Sequence, residues 1–155
     1  MMKTTLALIV FLSLNILAQD KIFKSGIYEA IESDSCSTDN NYYSLKYLSE
    51  ELCLKQNPVI DITDFDSIRI ASAEIKEEKL FSLNIKLSES ATKHFEEVTS
   101  KNIGKRLALI INNNIIIAPI VKGAIPSGLI SVEDDEARIK ELEKQINEER
   151  KNTKK

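Results

Sequence analysis

The sequence predicts an α+β domain, a mostly antiparallel sheet with two main helices on one face. Three observations carry that expectation. Short β-rich runs separated by turn formers recur from Lys24 to Ile130. Helical spacing of apolar residues occurs in two places, after Ser88 and after Ser131. Strands and helices do not alternate as a parallel βαβ sheet would require. No internal repeat and no second domain is visible.

Taken in order, the chain opens with Lys3 and a nearly unbroken apolar run from Leu6 to Leu17. Ala18 and the polar Gln19-Asp20-Lys21 follow. A basic start, an apolar stretch of about a dozen residues and a small residue at its end make a secretory signal peptide over 1–18, cleaved after Ala18. An uncleaved membrane anchor is the alternative reading, although a spanning helix needs about 20 apolar residues. Cleavage leaves no membrane span and places the protein outside the cytoplasm, periplasmic or secreted. It also removes one Lys and no acid, so the net charge moves from −3 to −4.

Ile27, Tyr28, Ala30 and Ile31 suggest a first strand, and Ser33 to Asn41 form a loop of turn residues. A second strand-like or mixed segment covers Tyr42 to Leu54 and stops at Gln56-Asn57-Pro58. From Ser67 to Lys76 the alternation changes phase between Ile70 and Ala73, which predicts a bulge there. Glu77-Glu78-Lys79 reads as a charged turn. Phe81, Leu83, Ile85 and Leu87 then share one face of the clearest strand in the chain. Ser88 is the expected N-cap of a helix carrying Ala91, Phe95 and Val98 and ending near Gly104. Arg106–Ile111 and Ile115–Val121 form a hairpin around Asn112-Asn113-Asn114, with Pro119 arguing for an edge or a bulge. Ser131-Val132-Glu133-Asp134 fits a capping box, and Ile139, Leu142 and Ile146 line one stripe of the helix it starts. The main domain is thus 19–146, followed by a charged, frayed tail over 147–155, which contains no apolar residue.

Composition limits the chemistry. The 155 residues are 43% hydrophobic and 29% charged, with one His, two Cys and no Trp. The mild acidity gives no electrostatic reason to expect nucleic acid. With one His no Ser-His-Asp or Cys-His arrangement is credible, and neither phosphate-loop nor zinc spacing occurs. No catalytic residue, cofactor or metal site is therefore expected. His94 and Glu97 lie one helical turn apart without a third ligand. Asp61, Asp64 and Asp66 lack the spacing and central Gly of a calcium loop. Lys105-Arg106 beside Gly104 is a weak anion candidate. The 107–121 hairpin is core, with pairing to an extended client strand as the alternative. In an oxidising compartment Cys36 and Cys53 form a candidate structural disulfide, with two free thiols as the other reading.

From Leu83 to Ile125 the residues follow an order that is similar to a known family. The strand is followed by the Ser88-Glu-Ser-Ala91 helix start, Phe95, Thr99 and Asn102-Ile-Gly104-Lys105. Leu107-Ala108-Leu-Ile and Ile117-Ala118-Pro119-Ile complete it. The chain resembles the head subdomain of the first periplasmic domain of SecD, the accessory subunit of the bacterial preprotein translocase. The likeness covers about Leu45 to Ile146. Asn102, Gly104, Lys105, Leu107, Ala108, Ala118 and Pro119 are the closest matches, as structural punctuation. An Asn112-Asn113-Asn114 turn stands where the family has Asp-Gly, and Ser127-Gly128 where it has Gly-Gly.

The resemblance implies a ferredoxin-like α+β head. Because no transmembrane helices follow, it implies a detached, non-catalytic module that binds polypeptide or a protein partner, with export machinery among the candidates. A secreted structural or inhibitory protein that keeps only the fold is the alternative.

Overall fold

The computed structural model describes residues 23–31, 36 and 42–153. The 1–18 leader with its cleavage point at Ala18, and most of the 33–41 loop, lie outside them. Among the described residues nine strands and two helices follow one another as β1 Gly26–Ile31, β2 Tyr42–Tyr47, β3 Glu50–Lys55, β4 Ile60–Asp61, β5 Phe65–Ile75, β6 Glu78–Leu87, α1 Glu89–Lys101, β7 Arg106–Ile111, β8 Asn114–Ile117, β9 Leu129–Asp134 and α2 Glu136–Thr153. The class is α+β, and every strand pair is antiparallel.

The strands divide between two sheets. The larger runs β2-β3-β1-β7-β8, with β4 also pairing β1, and the smaller runs β5-β6-β9. β7 is buried along nearly its whole length because both its faces are covered. Leu107, Leu109 and Ile111 point into the main core with Phe65, Leu83, Ile85, Phe95, Ile139 and Leu142. Ala108 and Ile110 point the other way, into a smaller core with Phe23, Tyr28, Leu52 and Leu54. The large sheet rolls around that second core until β2 and β8, its outer strands, approach one another.

Several elements differ from the sequence reading, each for a local reason. The Tyr42–Leu54 segment is a hairpin, β2 and β3, that turns at Leu48 with φ 54°. No Gly, Asn or Pro marks that turn. The β5 irregularity falls between Phe65 and Ser67, not after Ile70. The change of phase after Ile70 instead reflects the hairpin leaving the core, since residues 71–80 are all exposed. The tight turn is Lys76-Glu77, both at positive φ. β8 stops at Ile117, and beyond Pro119 only Ile120 bridges back to Arg106.

Ser131 to Asp134 do not cap α2. They belong to β9, whose place is dictated by the free edge of β6. The cap is Asp135, whose carboxylate accepts from the Arg138 N–H at 2.9 Å. The 147–155 stretch is not frayed where it is described, because α2 continues to Thr153. Polar contacts replace the missing apolar ones: buried Ser25 donates to Glu149, and Arg150 donates to the Asp66 carbonyl at 3.0 Å.

Candidate functional site

An apolar cleft of about 220 Å³ opens where β8, the segment after it, α1 and the start of β9 meet. Ile27, Phe95, Leu107 and Leu109 form its floor, and Ile120, Ile125 and Leu129 flank it. Ile120 and Leu129 are 49% and 48% exposed, unusual for residues of their size. Lys122 and Ser131 are the polar residues of the lining.

The strap over 118–128 determines the shape of this cleft, and hydrogen bonds pin it along its length. At one end Gly104 N–H donates to Val121 C=O and Val121 N–H to Lys105 C=O, both at 2.8 Å. In the middle, Ile125 N–H donates at 2.9 Å to the Thr99 hydroxyl, which itself donates to Phe95 C=O inside α1. At the far end Leu87 N–H donates to Gly128 C=O at 2.9 Å. Gly128 adopts φ +58°, and a Cβ there would stand 2.1 Å from Thr92 Oγ1, so only glycine lets the strap lie this close to α1.

Of the residues singled out from 102 to 119, Leu107 and Pro119 line the cleft, Ala108 and Ala118 face the second core, and Asn102, Gly104 and Lys105 make the turn from α1 into β7. Asn102 is the C-cap of α1, and its side-chain amide donates to Val98 C=O at 2.9 Å and to Glu29 at 2.7 Å. Gly104 turns the chain at φ +83°, leaving Lys105 exposed. Leu107 and Ala108 are buried in β7, and Leu107 N–H donates to Pro119 C=O. Ala118 is buried, and its carbonyl accepts from Arg106 at 2.8 Å. Arg106 also faces Glu50 at 3.9 Å, so its guanidinium is already engaged.

Glu29 on β1 ties this corner together. Burial works to raise its pKa, but hydrogen bonds from Lys55 and Asn102 outweigh it and hold the carboxyl below its usual range. The same bond raises the Lys55 pKa. Sequence reading passed over Glu29, because its partners lie on β3 and at the end of α1, 73 residues away in the case of Asn102. Behind the site, burial pushes the Tyr28 phenol up to about 12.

The other candidates lie elsewhere. His94 and Glu97 are exposed on the outer side of α1. Asp61 and Asp64 cap the 3-10 turn Ile62–Asp64 reciprocally. Among the described residues no group of three potential ligands is close enough to hold a metal ion. No helix among them is long and apolar enough to cross a membrane. Cys36 and Cys53 are joined as a disulfide with a Cα separation of 5.5 Å, away from the cleft.

Fold and cleft together define an α+β domain whose distinguishing surface is an apolar groove closed by a pinned strap. Residues 40–148 match the SecDF P1 head subdomain, and the chain belongs to that family. Protein translocase subunit SecD of Rickettsia conorii is 35% identical over 63 residues, 41% of this chain and 12% of that protein. Protein translocase subunit SecDF of Thermus thermophilus is 37% identical over 51 residues, 33% of this chain and 7% of that protein. The matches thus span about a tenth of those relatives' length. A solved chain of SecDF, described as a membrane component that enhances protein export, shares the fold at TM-score 0.52 and 19% identity. That likeness covers 79% of this chain and 61% of the other.

Proposed function

We propose that this protein is an exported, non-catalytic module that holds apolar stretches of extended polypeptide in the cleft beside β8, in the service of protein export. The cleft itself carries this reading, because exposed Ile120 and Leu129 flank a preformed apolar floor and leave side-chain-sized room between them. Membership of the SecDF P1 head subdomain family supports the export setting. The apolar leader 1–18 is a signal peptide cleaved after Ala18. Cys36–Cys53 serves as a structural bridge, in keeping with an oxidising compartment. Of the family-motif residues Asn102, Gly104, Lys105, Leu107, Ala108, Ala118 and Pro119, Leu107 and Pro119 act by lining the cleft and the others by holding the backbone that carries them.

The test uses a permanently unfolded probe, reduced and carboxymethylated α-lactalbumin carrying a fluorophore. The chain recovered from the exporting cell should begin at Gln19 and raise the probe's anisotropy. Ile120→Lys combined with Leu129→Lys should weaken binding about 10-fold or more without lowering the melting temperature, because both residues are already half exposed. Equal binding by that double variant would refute the cleft as the binding surface.

A further inference from the structure

We propose that β5 is a self-pairing edge, through which two copies of this chain join their three-stranded sheets into one antiparallel six-stranded sheet. The proposal starts from a contrast among edges. Unpaired strand edges invite intermolecular pairing and are ordinarily blunted by shortness, Pro, Lys or a covering element. In the large sheet β2 and β8 curl towards one another, and β8 has four residues followed closely by Pro119. β9 has six residues and carries Glu133 and Asp134. β5 has eleven, PheAspSerIleArgIleAlaSerAlaGluIle in order, with no Pro, Gly or Lys.

The turn geometry identifies the free groups. A two-residue turn at Lys76-Glu77 makes Ile75 and Glu78 the first hydrogen-bonded pair. Pairs then alternate, so Ala73, Ala71 and Arg69 bond to β6 while Glu74, Ser72, Ile70 and Ile68 direct N–H and C=O to the open edge. The same alternation requires odd-numbered residues of β6 to bond away from β5, and Leu87 N–H does bond to Gly128 C=O on that side. Of the β5 carbonyls, Asp66 is taken by Arg150. Among the described residues nothing bonds the outward groups of the four residues beyond it.

A second copy fits this edge in one register best. With a two-fold axis at Ala71, Ile68 faces Glu74 of the second copy and Ile70 faces its Ser72. All four outward residues of both strands are then used, forming about eight hydrogen bonds. Shifting by two residues in either direction leaves one outward residue of each strand unpaired. The charges also suit antiparallel self-pairing: Arg69 meets Ala73 and Glu74 meets Ile68, so like charges are never opposite. On the outer face small Ala71 meets its own copy, beside Ile75 and Leu80, which are 53% and 45% exposed. Strand pairing of this length falls at the small end of protein interfaces, so association should be weak.

The test follows the mass of the exported chain by sedimentation velocity from about 5 to 500 µM, the range in which an interface this small associates. The wild type should move from monomer towards dimer. Ala71→Lys and Ala71→Glu, both at an exposed position, should each weaken association at least 10-fold, and an equimolar mixture should restore it. Ala71→Cys should cross-link two chains under mild oxidation, because facing residues of a non-hydrogen-bonded pair lie about 4.5 Å apart. Ser82→Cys, on the same face one strand inward, should not. A wild type that stays monomeric throughout, charge variants that associate as the wild type does, or cross-linking equal at 71 and 82 would each overturn the proposal. Because none of these readouts uses the unfolded probe, failure here is distinct from failure of the cleft.

Discussion

Asn102 concentrates three tasks in one buried residue: its side-chain amide closes α1 and donates to Glu29 on β1, and its backbone carbonyl accepts from Lys105 N–H at the start of the chain reversal to β7. Asn102→Ala would leave Val98 C=O and one Glu29 oxygen without these donors. Loss of two hydrogen bonds, one of them to a charged group, should cost about 2 kcal/mol. Thermal unfolding followed by circular dichroism should show a fall of several degrees, whereas Ile103→Ala, at an exposed neighbour, should change little. Glu29 adds a pH signature. Its carboxyl is held below the usual range in the fold, so the charged form contributes stability above the ordinary carboxyl pKa. That contribution disappears as pH falls through the lower, folded value. The stability gap between wild type and Glu29→Gln should therefore be widest near neutrality and shrink on acidification towards pH 3, measured by urea denaturation at each pH. A gap that grows towards acid would contradict the assignment. The sequence made Asn102 and Gly104 visible as helix-ending residues. It could not make Glu29 visible, because a lone acid on a strand acquires meaning only from what the fold brings beside it.

Elements were legible where one face is buried and the other wet. β6 displays strict alternation because Leu83, Ile85 and Leu87 enter the core while Lys86 does not. α1 likewise shows its N-cap, its stripe and its glycine stop. Legibility failed where burial or turn chemistry gave no signal. β2 and β3 turn at Leu48, an ordinary residue in a left-handed conformation. β9 lies in a stretch whose Ser-x-x-Asp pattern suits a helix start, yet pairing with β6 decides its state. The last two turns of α2 contain no apolar anchor, and their docking depends on Ser25, Glu149, Arg150 and Asp66. Replacing Glu149 and Arg150 together by Ala should cost about 2 kcal/mol, since Ser25 is buried and loses its acceptor. Hydrogen exchange should accelerate in residues 147–153 and at the N-terminal end of β1, while α1 amides keep their protection. Uniform acceleration across the molecule would mean that this segment is not a local latch.

At the scale of the whole molecule, the cleft beside β8 is a surface where packing is incomplete, and the strap 118–128 determines how open it is. Its attachments differ in kind. The Gly104–Val121 and Leu87–Gly128 bonds join backbone to backbone and survive side-chain changes, whereas the Ile125 N–H, in the middle, is held by the Thr99 hydroxyl. Thr99 is fully buried, so Thr99→Val preserves shape and apolar contact while removing the acceptor of the Ile125 N–H. A buried donor without a partner costs about 1–3 kcal/mol, and the strap can relieve that cost by lifting Ile125 towards water. The expected result has two parts. Global stability should fall by no more than that amount, with fast exchange confined to residues near 122–127. Affinity for the unfolded probe should drop several-fold, because a mobile Ile125 no longer forms a preformed wall and ordering it must be deducted from binding. A Thr99→Ser variant, which retains the hydroxyl, should recover affinity even though it loses a methyl group from the core. If Thr99→Val lowers stability but binds the probe as well as the wild type does, the strap is a structural brace and the cleft does not depend on its rigidity.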